Sequence, residues 1–373
     1  MGLIPDEEPL ALLQLNLTPG VGPRLHSLLL NNFGTALAVF AARESQIRSI
    51  DGIGPKVSSA LLARRDLSEA RQEWEDCQAA GIEIRFINDS NYPESLKEIP
   101  DPPGALYLKG TLEPRDMMAV AIVGSRQCSH YGITIAGKLA QQLAAAGVTI
   151  LSGLARGIDA AAHRGALAAG GRTIAVCAPG LAHLYPPEHR ELADDVIQQG
   201  GLVTESPFRR AAQRGLFPQR NRIIAGLSLG VVIIEATRTS GSLHTARHAI
   251  EQGRDVFAVP GRIDTLTSEG CHDLIRDGAT LVRRVDDILE TLGPSLRPVK
   301  TGPKTQVAVA RELNLNPQEQ EILNLIDFAP TSVDHVLAGS ELDSSRVLST
   351  LTVLEMKRLV RRLPGGHLER ITG

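Results

Sequence analysis

The stretch that decides the fold spans residues 119–180 and reads AVAIVGSRQCSHYGITIAGKLAQQLAAAGVTILSGLARGIDAAAHRGALAAGGRTIAVCAPG. It contains three short apolar runs, which are separated by alanine-rich segments of helical length. Strands that are apolar on both faces and alternate with helices indicate a parallel sheet with helices on both sides. Each run ends in a turn of glycine, serine or proline. Ligands of such folds bind beyond the carboxyl ends of the strands, so function is expected at these turns.

The same alternation continues in both directions and predicts an extended, Rossmann-like, doubly wound α/β domain over residues 80–292, with a mainly parallel sheet. Its candidate strands are Ala119–Val123, Val148–Leu151, Thr173–Ala178, Leu202–Thr204, Leu229–Ala236 and Val256–Val259. Residues 1–75 predict a helical domain with two glycine turns, and residues 307–373 predict short helices followed by a hairpin. The segment 293–306, which contains glycine and proline and no aromatic residue, predicts a linker.

Composition excludes several classes of protein. A net charge of −3 over 373 residues excludes a strongly basic chain, so any nucleic-acid site has to be a local patch. The four cysteines are scattered with no CxxC pair, which predicts a reducing compartment and no structural zinc. The first residues lack the features of a signal peptide, and no apolar run is long enough for a membrane helix. We therefore expect a cytoplasmic protein without a membrane span.

Three glycine/serine turns predict a surface that binds anions. Glycine lets the backbone approach a phosphate, serine offers a hydroxyl, and arginine can hold two phosphate oxygens. The alternative is that these small residues only permit close packing of strands on helices. The residues concerned are Gly124, Ser125 and Arg126 in the first turn, Ser152, Gly153, Arg156 and Gly157 in the second, and Ser240, Gly241 and Ser242 in the third.

A basic segment indicates the kind of anion. Residues 206–228 read SPFRRAAQRGLFPQRNRIIAGLS, and from Ser206 to Ile234 there are five arginines and no acidic residue. Phe208 and Phe217 lie among the arginines. Aromatic faces interleaved with cations suit a single-stranded nucleic acid, whose bases stack while its phosphates are neutralised. The alternative is a solvated basic loop whose phenylalanines belong to the core.

No loop carries the machinery of a phosphate-using enzyme. The chain has neither a Walker A loop nor a GxGxxG turn between strand and helix. Ser125, His163 and Asp159 could form a triad, yet no GxSxG elbow holds the serine. His244 and His248 lack the HExxH glutamate, so no metal and no cofactor are expected. Glu235 is expected to hold backbone N–H groups, and the protein is not expected to be an enzyme.

The central block resembles the DprA/Smf DNA-processing family. The resemblance rests on the motifs AIVGSRQCSHYG, SGLARGIDAAAHRGAL, LYPPEH, ESPF, FPQRNRIIAGLS, VVIIEATRTSGSLHTARHAIEQGRDVFAVPG and EGCHDLIRDGA, in this order. It implies a protein that binds single-stranded DNA as a homodimer, protects incoming strands and recruits the RecA recombinase to them. It also implies a role in natural transformation, the uptake of DNA by competent cells.

The resemblance implies site residues as well. The arginine of the GSR turn lies in the family's DNA pocket, which points to Arg126, and the FPxRNR segment borders it, which points to Arg220, Asn221 and Arg222. One departure concerns a pocket cation: some members carry a lysine directly after the YP of the third loop, where this chain has Pro187.

The flanking blocks resemble known modules. LTPGVGPRLHSLL (17–29) and IDGIGPKVSSALL (50–62) resemble helix-hairpin-helix turns, which either face a DNA phosphate, with Arg24 and Lys56 nearby, or are plain helical hairpins. Three predicted helices (316–326, 332–340 and 343–363) and GGHLERI resemble a winged-helix fold. The third helix ends in four cations, which make a second contact with DNA or protein or form a solvated face: Lys357, Arg358, Arg361 and Arg362.

A rival hypothesis is a nucleotide N-glycosidase of the lysine-decarboxylase-like type, which shares the Rossmann-like architecture. Those enzymes carry a PGGxGTxxE loop whose glutamate attacks the glycosidic bond. This chain has TRTSGSLHTARHA (237–249) at that place, and the glutamate is absent. The sequence therefore favours a DNA-binding protein.

Overall fold

The computed structural model describes residues 7–293, 317–326, 331–340, 342–357, 359–363 and 367–370. The chain forms two compact units that divide between Arg283 and Arg284. Residues 294–306 of the predicted linker, and Arg358, lie outside the described residues. Within the described part, no helix is long and apolar enough to cross a membrane.

The first unit begins with six helices, and from residue 119 onward strands and helices alternate as predicted. Its helices are α1 (Glu7–Leu17), α2 (Pro23–Phe33), α3 (Ala36–Ala41), α4 (Glu44–Arg48), α5 (Pro55–Leu62), α6 (Ser68–Ala79), α7 (Glu94–Lys97), α8 (His130–Ala145), α9 (Ile158–Ala168), α10 (Arg190–Gln199), α11 (Leu216–Gly226), α12 (Ser242–Glu251) and α13 (Glu269–Arg276). Its strands are β1 (Glu83–Phe86), β2 (Ala105–Gly110), β3 (Ala119–Gly124), β4 (Thr149–Ser152), β5 (Thr173–Val176), β6 (Gly200–Thr204), β7 (Gly230–Ile234), β8 (Asp255–Ala258) and β9 (Thr280–Leu281).

The strands form one nine-stranded sheet in the order β1-β2-β6-β5-β4-β3-β7-β8-β9. From β6 to β9 all neighbours are parallel, whereas β1 and β2 add an antiparallel edge. Each residue of β4, β5, β6 and β7 is buried, as expected for strands covered on both faces. The predicted doubly wound, mainly parallel fold is confirmed.

The six predicted strands are present, and three further strands were not predicted. β2 follows Pro102, Pro103 and Gly104, which predict a turn rather than a strand, although Tyr107 within it is fully buried. β1 alternates exposed and buried residues and has only four of them. β9 has two residues, too few to give a periodic signal.

The helical N-terminal block packs on the sheet and shares a core with it. Leu10 and Leu61 of the block belong to the same buried cluster as Tyr107 and Leu202 of the sheet. The two parts are also linked by a hydrogen bond, since the Phe208 N–H donates to the Glu73 carboxylate over 2.6 Å. The described residues up to Arg283 thus form one compact unit. The predicted domain of residues 80–292 extends too far, because residues 284–292 belong to the second unit.

The two GxGP segments form the predicted turns at the starts of α2 and α5. Gly20 and Gly52 have φ of +85° and +88°, a region that favours glycine. Arg24 and Lys56 are exposed. A contact of this block with DNA stays a prediction.

The second unit contains α14 (Val285–Leu292), α15 (Pro317–Asn324), β10 (Thr331–Ser332), α16 (Val333–Gly339), α17 (Ser344–Met356), β11 (Val360–Leu363) and β12 (His367–Arg370). Its antiparallel sheet, in the order β10-β12-β11, has the arrangement of a winged helix. The predicted third helix (343–363) is too long, because α17 ends at Met356 and Arg361 and Arg362 lie on β11. The described cations of this stretch are ion-paired: Lys357 with Glu319 (2.8 Å), Arg361 with Glu369 (2.5 Å) and Arg362 with Glu355 (2.8 Å). These pairs favour the interpretation of a solvated face over that of a DNA contact.

One buried histidine makes the stability of the first unit depend on pH. His163 of α9 is fully buried, and its Nδ1 lies 2.7 Å from the Thr173 hydroxyl. Its Nε2 has no hydrogen-bond partner in the described part of the chain. Burial lowers the pKa of His163 to about 3, so the ring is neutral in the folded protein at pH 5 but protonated in the unfolded chain.

Between pH 7 and pH 5, we expect the wild type to lose about 2 kcal/mol more stability than His163→Gln. The unfolded chain binds a proton near pH 6.5 that the folded state rejects, so stability falls as the pH drops below that value. Urea unfolding of both proteins at the two pH values measures the difference. Equal losses in the two proteins would show that His163 does not cause the pH dependence.

Candidate functional site

The order of the strands locates the site. Strands β4, β5 and β6 follow β3 on one side of it. The chain then returns to the other side of β3, where it forms β7, β8 and β9. A crevice is expected at the carboxyl ends of β3 and β7, where the order reverses. A groove of about 710 Å³ opens there. It is lined by Val123, Gly124, Ser125, Arg126, Gln127, Ala155, Asp159, Tyr185, Arg214, Phe217, Pro218, Arg220, Asn221, Ile224, Thr237, Ser240, Gly241, Ser242, His244 and Thr245.

The turn after β3 is held by Glu235, at the end of β7. The Ser125 N–H donates to the Glu235 carbonyl oxygen over 2.8 Å. The Ser129 N–H donates to the Glu235 carboxylate over 2.7 Å, and the Ser129 hydroxyl donates to the same carboxylate. Glu235 has φ of +51°, a conformation that a non-glycine residue adopts only when its surroundings enforce it. The expectation that Glu235 holds backbone N–H groups is confirmed, and the fixed turn leaves Arg126 exposed.

The glycines of the first two turns fit closely against protein. A Cβ on Gly124 would lie 1.8 Å from the Ile234 carbonyl oxygen of β7. Gly157 has φ of +75°, and a Cβ there would lie 2.4 Å from the Ser125 carbonyl oxygen. At both positions the glycine permits close packing of the chain on itself. The space beside its Cα atom is filled by protein and is not left for a ligand.

The second turn is organised by the buried carboxylate of Asp159. It accepts hydrogen bonds from the N–H groups of Gly153 (3.1 Å) and Ala155 (3.3 Å). Burial raises the pKa of this carboxyl, while the nearby Arg220 guanidinium and the two N–H donors act in the opposite direction. The turn that Asp159 holds presents Arg156 at the surface, where the guanidinium forms an ion pair with Glu188.

Arg220 lies beneath the groove and is 5% exposed. Its guanidinium donates to the carbonyl oxygen of Gly153 over 2.7 Å, and also to that of Val176. Burial lowers the pKa of Arg220, and Asp159 opposes that shift. Arg220 therefore ties together the ends of β4 and β5, and the described contacts make it part of the groove floor.

The two residues after Arg220 point in different directions. Asn221 lines the groove, and its side-chain amide donates to the Gly241 carbonyl oxygen over 3.1 Å. Arg222 does not line the groove. It is 4% exposed and ion-paired with Asp101 (3.1 Å) and Glu205. The family resemblance implies that both arginines of this segment border the DNA pocket, whereas the structure buries Arg222 against two carboxylates, outside the lining of the groove.

The third turn leads into α12 and remains open. The Ser240 hydroxyl accepts a hydrogen bond from the Thr237 N–H over 2.9 Å, which shapes the turn. A Cβ on Gly241 would meet no atom within 4 Å. Ser242 is buried, and its hydroxyl has no hydrogen-bond partner in the described residues. Of the three predicted turns, this one offers a polar atom and open space together.

An aromatic pair lies between the two exposed arginines. The Arg126 Cζ lies 5.0 Å from the centre of the Phe217 ring, and the Arg156 Cζ lies 6.0 Å from that of Tyr185. The two rings are 5.5 Å apart at an angle of 66°, a favourable edge-to-face geometry. The sequence indicated Phe217 but missed Tyr185. Its only signal is the LYPPEH motif.

The remaining arginines of the basic segment divide between groove and scaffold. Arg214 lines the groove and is exposed. Arg209 instead forms an ion pair of 2.9 Å with Asp76 of α6, and Arg210 donates to the side chain of Gln213. The groove is therefore less positively charged than the number of arginines in the segment suggests, because Arg209 and Arg210 do not line it.

Catalytic arrangements do not form among the described residues. His163 is bonded to Thr173, and Asp159 to backbone N–H groups, so the triad considered with Ser125 is not assembled. No group of three or more histidine, cysteine or acidic residues in the described part is placed to hold a metal ion. In the described part of the chain, Asp159 is the one acidic residue that lines the groove.

Fold and groove together define a Rossmann-like protein with an arginine- and serine-lined groove at the switch point of its sheet. The family model of DNA recombination-mediator protein A matches residues 83–293, and that of the DprA winged helix domain matches residues 306–366. The chain belongs to the DprA/Smf family, and the winged-helix prediction is confirmed with it.

Relatives match along most of the chain. Protein Smf of Synechocystis is 34% identical over 94% of this chain and 96% of its own length. The X-ray structure of DNA processing protein A from Streptococcus pneumoniae superposes with a TM-score of 0.67 at 34% identity, covering 78% of this chain and 98% of that one. DNA processing protein A from Helicobacter pylori, which binds single-stranded DNA, superposes with a TM-score of 0.51 at 29% identity over 57% of this chain and 95% of that one.

Proposed function

We propose that this protein binds single-stranded DNA in the groove and loads the RecA recombinase onto it, in the cytoplasm, during DNA processing in natural transformation. The observation that carries the proposal is the stack of the exposed Arg126 on Phe217 at the groove. A guanidinium can bind the phosphates of a single strand, and an aromatic ring beside it can stack on the strand's unpaired bases. The single-stranded DNA binding of the Helicobacter pylori relative supports the same ligand.

The proposed DNA site consists of the three turns, the aromatic pair and the start of α11. Arg126 and Arg156 provide charge, and Tyr185 and Phe217 provide ring faces. Ser125, Ser240, Gly241 and Ser242 offer hydroxyl and N–H donors, while Gly124, Gly153, Arg220 and Asn221 shape the floor beneath them. Such a groove has few groups that distinguish one base from another, so binding is expected to tolerate any sequence.

We expect the full-length protein to bind a single strand at least tenfold more tightly than a duplex of the same length, because stacking requires unpaired bases. Affinity should fall with salt in proportion to the number of phosphates neutralised. Fluorescence anisotropy with labelled oligonucleotides over a range of salt concentrations measures both properties. The full chain is required, since the N-terminal block shares its core with the sheet. Equal affinity for both forms would contradict the proposal.

Recruitment of RecA and assembly as a homodimer are the further parts of the proposal. They rest on membership of the family. Exposed apolar side chains support a protein contact, since Ile263 and Leu266, between β8 and α13, are 92% and 71% exposed. Sedimentation of the protein measures its oligomeric state. RecA filament formation on protein-coated DNA, with and without this chain, tests the loading.

The rival N-glycosidase function requires a carboxylate able to attack a sugar. Among the residues that the structure describes, Asp159 is the one acidic residue lining the groove, and it is buried and accepts two backbone hydrogen bonds. We therefore propose that the protein is not an enzyme. Incubation with nucleoside monophosphates tests this proposal, and release of free base that depends on Asp159 would overturn it.

A further inference from the structure

The two arginines beside the aromatic pair differ in their partners. No carboxylate in the described part of the chain forms an ion pair with Arg126, whereas the Arg156 guanidinium is bonded to the Glu188 carboxylate. Both arginines line the recess formed by Gly153, Tyr185 and Phe217. Of two cations at one recess, one is therefore available to an anion and the other already holds one.

The ion pair lies at the surface, within reach of a ligand. The side chains of Arg156 and Glu188 are 51% and 48% exposed. Glu188 belongs to a single helical turn, Pro187–His189, whose last residue is anchored: His189 is buried, and its Nδ1 lies 2.9 Å from the Leu154 carbonyl oxygen. Because Leu154 belongs to the turn that presents Arg156, this contact keeps carboxylate and guanidinium next to each other.

A carboxylate and a DNA phosphate present the same kind of oxygen to a guanidinium. We propose that Glu188 is an internal competitor for the DNA phosphate, which occupies Arg156 until a bound strand displaces it. This inference rests on the proposed function of the groove. Arg126 then binds a DNA phosphate directly, whereas Arg156 binds one only after the phosphate has displaced Glu188.

The competitor is present throughout the physiological pH range. The hydrogen bond from Arg156 lowers the pKa of the Glu188 carboxyl below its ordinary value, so the side chain is ionised at neutral pH. An exposed ion pair is weak, which allows a phosphate to exchange with the carboxylate. Displacement leaves Glu188 ionised close to the DNA, and this repulsion adds to the cost of binding.

We expect Glu188→Gln to bind single-stranded DNA about fivefold more tightly than the wild type, through loss of an exposed ion pair and of a repulsion. Its salt dependence should be steeper by about one phosphate, because Arg156 then neutralises a phosphate without leaving a carboxylate behind. Anisotropy titrations with a labelled oligothymidylate measure both effects, and Glu188→Ala should reproduce them.

Glu191→Gln is the matched control. Glu191 lies three residues further on and is exposed, and it loses the same charge without touching Arg156. We expect its affinity to stay within about twofold of the wild type, because salt screens charges that are not in contact. An equal gain in Glu188→Gln and Glu191→Gln would show a general effect of net charge and overturn the inference.

A double-mutant cycle with Arg156→Ala separates competition from repulsion. If Glu188 competes for Arg156, the gain from Glu188→Gln is larger in the wild type than in Arg156→Ala. Equal gains in affinity in the two backgrounds would mean that Glu188 acts only by repelling the DNA, and would overturn the inference. The two proposals fail in different ways: a wild type that binds no single-stranded DNA refutes the proposed function, whereas one that binds it, with no gain in Glu188→Gln, refutes only the competitor.

Discussion

Arg126→Ala is expected to weaken the binding of single-stranded DNA about tenfold to a hundredfold, because a charge-assisted contact with a phosphate is lost. The Arg126 guanidinium is exposed at the groove, stacked on Phe217. Its planar fork can hold two phosphate oxygens, so Arg126→Lys should recover only part of the affinity. The salt dependence should also become flatter by about one phosphate. The melting temperature should stay near that of the wild type, since Arg126 is not part of the core.

Arg262→Ala provides the control for this prediction. Arg262 is 82% exposed and ion-paired with Asp264, and it does not line the groove. Both substitutions remove one positive charge, so a comparable loss in the two proteins would mean that only net charge matters. If Arg126→Ala instead lowers the melting temperature by the amount that explains its loss of binding, the arginine is a structural clamp and the proposed contact is wrong.

Arg220→Ala should act on the fold itself and destabilise the protein by about 3–5 kcal/mol, as is usual when one partner of a buried charged group is removed. The carbonyl oxygens of Gly153 and Val176 would lose their donor. The buried Asp159 carboxylate would lose the positive charge beside it. We expect the melting temperature to fall by about 10 °C, with loss of DNA binding as the protein unfolds.

Urea unfolding tests this prediction, with Arg214→Ala as the matched control. Arg214 also lines the groove but is exposed, so its removal should leave stability unchanged. Arg220→Lys should lie between wild type and Arg220→Ala, because an ammonium cannot span both carbonyl groups. Normal stability of Arg220→Ala combined with weak DNA binding would show that Arg220 is a ligand contact and not part of the scaffold.

The fold was predictable from the sequence where its signal is repeated. The six strands found in advance are short apolar runs separated by segments of helical length, a pattern that indicates a parallel sheet covered on both faces. The antiparallel edge was missed because β1 alternates exposed and buried residues, unlike the apolar runs of the other strands, and because β2 follows a proline-rich turn. Tertiary pairing stabilises such strands, and local sequence does not show it.

The candidate site was predictable as a set of loops but not as a set of contacts. The sequence alone does not distinguish Arg126 from Arg220 and Arg222. In the structure Arg126 is exposed, whereas Arg220 and Arg222 are buried, with 5% and 4% of their surface accessible. Burial of an arginine depends on carbonyl and carboxylate partners that lie far away in the chain, such as Val176 and Asp101. The pairing of Arg156 with Glu188 spans 32 residues and likewise leaves no local pattern.

The hydrogen bonds between Ser129 and Glu235 set the time at which the groove can first exist. The two residues are 106 positions apart, and a ribosome needs about 5 to 20 seconds to add a segment of that length. Until then the turn that carries Arg126 has no acceptor for its N–H groups, and β7 is absent from the sheet. A nascent chain therefore exposes its first arginine turn well before it can shape a groove. The groove that we propose to bind DNA is therefore completed late in synthesis, together with the pairing of β3 and β7.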